Sequence, residues 1–308
     1  MSYEADMLKL YKMPEQKDVE KALLKVLFIN NGVVKEFGTG EKIVEDIAYE
    51  FNLDEKQKSA YLETIYKKEN RLKKSILWHR LLFRAADSLA KMNLITRPTQ
   101  TELLTNKREW MLTENGYDKA LRILGVSINQ KEFLSIRSYE VQKIAKKITE
   151  LKKPIDYNPF EKKKISLVSK EEKLRNRGFR VAILEAYDCR CALCGLKLNS
   201  PDTKRWEVEA AHIIPHSSEG KDDIWNGIAL CRLHHWAFDV GWFTLDNNFK
   251  IRISSKVEHL SNDVGRMRNY EFMKELSDNK IKIYLPINKN HHPHPVVIKW
   301  HNENIFYK

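Results

Sequence analysis

A chain of 308 residues has room for two domains that each bury a core, and its 42% hydrophobic, 31% charged composition is that of a soluble globular protein. No apolar run approaches the ~18 residues of a membrane span, and the opening MSYEADMLKLYKMPEQ lacks the apolar stretch of a signal peptide. A cytoplasmic protein with no membrane partner is therefore expected. A net charge of +12 and an isoelectric point near 9.3 point to a polyanionic partner, nucleic acid above all.

In chain order, Ala22, Leu23, Val26, Leu27 and Ile29 recur at helical spacing over residues 19–30, and Asn30-Asn31-Gly32 ends the pattern. Residues 41–51 repeat it through Ile43, Ile47, Ala48 and Phe51, and residues 54–70 read as a polar helix with Asp54 as N-cap. Residues 75–92 form a further amphipathic helix through Ile76, Leu77, Leu81, Leu82, Ala85 and Leu89. Residues 94–96 and 109–113 read as two short strands joined by a polar loop, and residues 117–124 as a closing helix. From Lys143 to Arg177 there are twelve Lys/Arg against five Asp/Glu. This stretch reads as a basic connector that begins with a helix over residues 139–151. Its lysines either follow a phosphate backbone or are simply solvated. A strand is expected over residues 250–254 and a short helix over 270–277. The tract His291-His292-Pro293-His294 has a metal-binding composition, but no metal is expected there.

The chemistry concentrates between Cys189 and Asp246. Cys191-x-x-Cys194 and Cys231-x-x-His234 are two half-sites that aim soft ligands at one tetrahedral metal, and cysteines clustered with histidines favour a metal over disulfides. Residues 208–214 read as a short apolar strand carrying His212, followed by a Pro-His-Ser-Ser-Glu-Gly loop. Asn226 opens the segment leading to the second half-site, and His235 follows His234 directly. His235 and Asp239 are four apart, so on a helix they share a face. Cys189 exceeds the count a single zinc needs.

The order CxxC, His212, Asn226, Cys231-x-x-His234-His235 resembles the HNH nuclease family, and EAAHIIPHSSEGKDDIWNGIALCRLHHWAFDVGWFTLD looks like its bacterial restriction branch. The closing PVVIKWHNENIF resembles the Trp-His…Phe end of that branch. In the first half, WHRLLFRAADSLAKMNLI…REWMLTENGYDKAL resembles the winged-helix module of Mrr-type restriction proteins. The resemblances imply an α+β chain. It would have a winged-helix DNA-reading domain over residues 1–135, a basic helical linker over 136–177, and a ββα-metal HNH nuclease domain with structural zinc over 178–308.

By the same resemblance, Cys191, Cys194, Cys231 and His234 hold the structural zinc, and His212 is the general base. His235 with Asp239 holds a catalytic magnesium or manganese ion, and Asn226 fixes the loop of the base or touches that ion. Many family members carry a metal ligand just before the base. Ala211 stands there, so Glu209 and His216 become candidates for a missing ligand, and Ala211→Asp is expected to tighten the ion. His79, Arg80, Arg84 and Lys91 are the expected DNA contacts on the helix before the wing. The implied partner is double-stranded DNA, specific or modified, cut to 5′-phosphate and 3′-hydroxyl ends. A homodimer follows from one site cutting one strand. The alternatives are a homing or mobile-element nuclease and a non-catalytic zinc-containing DNA-binding protein.

Overall fold

The computed structural model describes residues 3–37, 42–66, 71–162, 170–256 and 282–307. The helix expected over 270–277 lies outside them. Two compact units divide the chain, Met1–Gln142 and Lys143–Lys308.

In the first unit the elements run α1 (Tyr3–Leu10), α2 (Gln16–Ile29), β1 (Val33–Lys35), α3 (Lys42–Glu50), α4 (Glu55–Ser59), β2 (Tyr61–Tyr66), β3 (Arg71–Ile76), α5 (Leu77–Lys91), β4 (Ile95–Thr96), α6 (Pro98–Thr105), β5 (Glu109–Leu112) and α7 (Glu114–Ile123). The apolar stripe of α5, with Trp78, Leu81, Leu82, Ala85 and Leu89 buried, meets Ala22, Leu23 and Leu27 of α2 and Tyr117 and Leu121 of α7 in one core. Beside the helices lies an antiparallel sheet in the order β1-β5-β4, with Val33 opposite Met111 and Ile95 opposite Leu112.

Two expectations fail here for local reasons. The polar helix expected over 54–70 lasts only through α4, which the Asp54–Gln57 capping box starts. Ala60 turns extended (ψ 131°) and residues 61–66 pair with 71–76 instead. Tyr61, Thr64, Ile65 and Tyr66 are strand-favouring types, and Glu63 meets Lys74 across the pair at 3.0 Å. The loop expected between 96 and 109 contains α6, with Pro98 in its first turn and Asn106 closing it at φ 58°.

The second unit begins within α8 (Tyr139–Thr149) and continues through α9 (Lys170–Ala186), β6 (Val208–His212), β7 (Gly227–Cys231), α10 (Arg232–Asp239), β8 (Phe243–Leu245), β9 (Ile251–Ile253) and α11 (Pro295–Asn304). Ala145, Ile148 and Tyr157, from the stretch read as a connector, are buried in its core. β6 and β7 pair antiparallel, Val208 opposite Cys231 and His212 opposite Gly227, and α10 follows β7 without a break. α9 lies across this hairpin through Phe179, Ala182 and Ile183. The approach requires glycine at 227, where a Cβ would stand 2.2 Å from Ile183 Cδ1. α11 covers β8, and its His301, 1% exposed, accepts at Nδ1 from Thr244 Oγ1 (2.9 Å) and donates from Nε2 to the Phe238 carbonyl (3.2 Å). Burial pushes His301 down to about 4.

The histidine-rich tract is held by backbone. His291 Nε2 donates to Thr149 O and His292 Nε2 to Pro286 O, each at 2.9 Å, while His294 Nδ1 accepts from Val296 N and caps α11.

Candidate active site

Two turns bring the thiols together. The knuckle at Cys191–Cys194 follows α9 and is tied to β7 by Ala192 N donating to Ala229 O (2.7 Å). Cys231 ends β7 as the N-cap residue of α10, which carries His234 one turn on. One donor atom from each of Cys191, Cys194, Cys231 and His234 lies within 4.8 Å of the others, with His234 Nδ1 3.0 Å from Cys231 Sγ and 3.5 Å from Cys191 Sγ. Hydrogen bonds from Cys194 and Cys231 hold the Cys191 thiol far below its usual range, while Cys231 is driven the opposite way by Cys191 and Cys194. Such a split is what thiols sharing one negative charge show, and a dication would carry all three as thiolates. Burial opposes charge on His234, but its bonds to Cys191 and Cys194 outweigh this and raise it to about 9. Three sulfurs and one imidazole at this spacing fit a closed tetrahedral zinc. Cys189 is not one of the four.

At the other end of the hairpin, the ring of His212 stacks on Phe179 of α9 with centroids 4.0 Å apart and planes 13° from parallel. Its Nε2 is 2.9 Å from Asp222 Oδ1. A carboxylate oxygen only accepts from a neutral ring, so Nε2 carries the proton and Nδ1 keeps its lone pair. His216 Nε2 reaches the same Asp222 oxygen at 2.8 Å. Asp222 gave no signal in the sequence beyond being one of two aspartates before the Trp-Asn-Gly turn.

His235, on α10, sits between two carboxylates. Its Nδ1 is 3.1 Å from Glu209 Oε2 on β6, and its Nε2 is 3.5 Å from Asp239 Oδ2 one turn along the helix. Burial would lower His235, but the hydrogen bond to Glu209 and the charges of Asp239 and Glu209 win and raise it. Glu209 is held low by the hydrogen bond to His235, with help from Arg232 and Arg180. Asp239 is raised by desolvation, although its side chain remains 56% exposed, against the pull of His235 and His212. Among the described residues, two groups place at least three His, Cys or carboxylate donors within 4.8 Å of each other: the thiol cluster, and His212 with His216 and Asp222. His235, Glu209 and Asp239 form no such group because the carboxylates flank opposite ring nitrogens. That arrangement fits an ion on Nε2 and Asp239, with Glu209 orienting the ring from Nδ1. A magnesium-type ion held there would keep several of its own waters.

Asn226 is fully buried, and its amide is saturated by backbone. Oδ1 accepts from Ile214 N (2.8 Å), and Nδ2 donates to Ile214 O and Lys221 O, each at 3.0 Å. The loop after His212 is thereby bound to the start of β7. Ala211 is also fully buried, facing Ile228 in the core, so a carboxylate there would enter an apolar interior and not the site. Ala211→Asp would therefore not tighten an ion, contrary to what the resemblance implies.

In the first unit, Arg80 Nη2 and Arg84 Nη1 both bind Glu4, at 2.7 and 3.0 Å, and Lys91 pairs with Asp87 at 2.9 Å. Glu4 is desolvated but held low by the two arginines. His79 is half-buried and lowered by desolvation.

Residues 191–246 match the HNH endonuclease family. This stretch is an HNH endonuclease domain. No curated protein matches the chain. Among solved structures, a modification-dependent TagI restriction endonuclease is similar at 17% identity and a TM-score of 0.29, over 41% of this chain and 37% of that one. No helix among the described residues is long and apolar enough to cross a membrane.

Proposed function

We propose that this protein is a metal-dependent endonuclease of restriction type that hydrolyses phosphodiester bonds of double-stranded DNA at a specific or modified sequence, leaving 5′-phosphate and 3′-hydroxyl ends. The observation that supports this most is that the family-matched β6–β7–α10 segment carries His212 on the Asp222 carboxylate and His235 between Glu209 and Asp239. His212, with Nε2–H held by Asp222, offers Nδ1 to take a proton from an attacking water. His235 Nε2 and Asp239 would hold magnesium or manganese, which when bound supplies Lewis-acid stabilisation of the phosphate. Glu209 fixes the tautomer of His235, and Asn226 fixes the loop that follows the base. Arg180 on α9 adds a positive charge near Glu209 that suits a phosphate-bearing substrate. Zinc in the cluster of Cys191, Cys194, Cys231 and His234 would be structural, since four protein ligands leave no open position.

The first unit serves in this reading as a winged-helix reader. Helices α2, α3 and α5 with the β1-β5-β4 sheet suit that module, with α6 lying in the wing and β2–β3 inserted before α5. His79, Arg80, Arg84 and Lys91 on α5 are its proposed DNA contacts. Two copies acting together would cut both strands. A zinc-bearing DNA-binding protein without catalysis would have no use for histidine–carboxylate pairs at both His212 and His235.

Purified protein incubated with modified and unmodified plasmid DNA and magnesium tests the reading. Cleavage is expected on at least one substrate, and His212→Ala is expected to abolish it while binding persists, a loss of about a hundredfold to ten-thousandfold. Cutting by His212→Ala at the rate of the unaltered protein would sink the mechanism.

A further inference from the structure

The proposed nuclease chemistry asks of Asp222 only that it hold the base, yet His216 converges on the same oxygen. His216 stands in a short turn after Pro215, four residues beyond His212, and both Nε2 atoms lie within hydrogen-bond distance of Asp222 Oδ1, at 2.9 and 2.8 Å. The two rings meet edge to face with centroids 4.2 Å apart, and all three donor atoms fall within 4.8 Å of one another. Ligand atoms each ~2.0–2.2 Å from a tetrahedral zinc ion stand a little over 3 Å apart. Both histidine–carboxylate distances fall a few tenths of an ångström short of that, so a slight opening of each would make room for an ion among the three.

We propose that His212, His216 and Asp222 form a second cation site, selective for a borderline ion such as zinc, and that filling it silences the base. Two imidazoles and one carboxylate favour zinc over magnesium, which prefers oxygen ligands and its own water, so the working ion does not compete. The silencing follows from proton accounting. In the ion-free cluster Nε2 of His212 carries the proton and Nδ1 the lone pair. An ion on Nε2 takes that nitrogen's lone pair, and the ring proton passes through solvent to Nδ1. No net proton is released from the neutral ring, but neither nitrogen can then accept one. Ion capture stands apart from the nuclease reading, whereas silencing rests on it.

Cobalt reports the site by its ligand-field colour. Zinc-replete protein carrying His235→Ala, which removes the other histidine proposed to hold an ion, is titrated with Co²⁺. About one equivalent is expected to bind, with ligand-field absorption and no thiolate-to-cobalt band, because the thiol cluster keeps its zinc. Adding His216→Gln is expected to weaken this binding at least tenfold. No cobalt taken up by the His235→Ala protein, equal uptake with and without His216→Gln, or a thiolate band overturns the site. The second arm measures magnesium-supported cleavage as zinc is raised, each protein against its own zinc-free rate. Unaltered protein should lose at least tenfold activity at zinc levels that His216→Gln withstands, and parallel inhibition of the two overturns the silencing. If neither protein cleaves DNA, the nuclease reading and the silencing fall together while the cobalt result decides the site by itself.

Discussion

Asp222 Oδ1 lies 2.9 Å from Nε2 of His212, which makes Asp222 the group that decides which nitrogen of the proposed base is free. An amide in its place can still accept one such bond, but its NH2 group can also face the ring and favour the wrong tautomer. Asp222→Asn is therefore expected to lower kcat ten- to a hundredfold, as does loss of a partner that orients a site histidine. KM for DNA and zinc content should stay unchanged. A change confined to KM would place Asp222 in substrate binding.

Glu209 and Asp239 occupy opposite nitrogens of His235, so they should fail differently. Asp239→Ala is expected to remove nearly all cleavage, with partial rescue at high manganese. Glu209→Gln should weaken metal affinity about ten- to a hundredfold while leaving cleavage at saturating metal closer to normal. Single-turnover cleavage against metal concentration separates the two. Unchanged metal dependence in Asp239→Ala would move the ion elsewhere.

Asn226 bridges the loop after His212 to the start of β7 through three bonds to backbone. Asn226→Ala leaves Ile214 N and two carbonyls without those partners in a buried place. A loss of roughly 2–4 kcal/mol is expected in denaturant unfolding of the second unit. Full stability with lost cleavage would instead assign Asn226 to the chemistry.

Removing zinc, or Cys231→Ala, should unfold the second unit and leave the first with its own transition, since each has its own core. Structural zinc contributes on the order of 10 kcal/mol in small zinc domains. Metal analysis and circular dichroism of the chelated protein check this. An active, folded, zinc-free protein would refute the assignment.

His301 gives the second unit a pH dependence. Its folded value, about 4, lies below the ordinary histidine value of 6.5, so between these the unfolded chain binds more protons. Stability should fall as pH drops through that window, by roughly 3 kcal/mol in all, and level off below it. Thermal melts of His301→Gln should lack this component of the slope. Magnetic-resonance titration of the ring in the unaltered protein gives the same answer directly; a midpoint near 6.5 would contradict it.

The sequence carried the second unit well because its informative residues are adjacent. Two pairs of soft ligands and a histidine beside the second pair place Cys191, Cys194, Cys231 and His234 at once, and the structure gathers these four. Asp222 was hidden because nothing in its neighbourhood marks one aspartate of Asp222-Asp223 as facing a histidine ten residues back. Its neighbour Asp223 turns the other way, to accept from the Tyr157 hydroxyl at 2.6 Å. In the first unit, β1 is three residues long and offers no periodicity, and residues 54–70 look polar enough for one helix until the cross-strand partners of 61–66 are known. Glu4 was equally invisible as the partner of Arg80 and Arg84, 76 and 80 residues away.

Phe179 supplies both the surface on which His212 stacks and part of the wall against Gly227, where a Cβ would come within 2.9 Å of its ring. A single side chain of α9 thus contributes to hairpin packing and to the pose of His212 together. In a laboratory evolution campaign this couples two traits that are usually selected separately. Variants chosen for heat resistance by enlarging residues under α9 would tilt the His212 ring, and variants chosen for faster cleavage around that ring would loosen the hairpin.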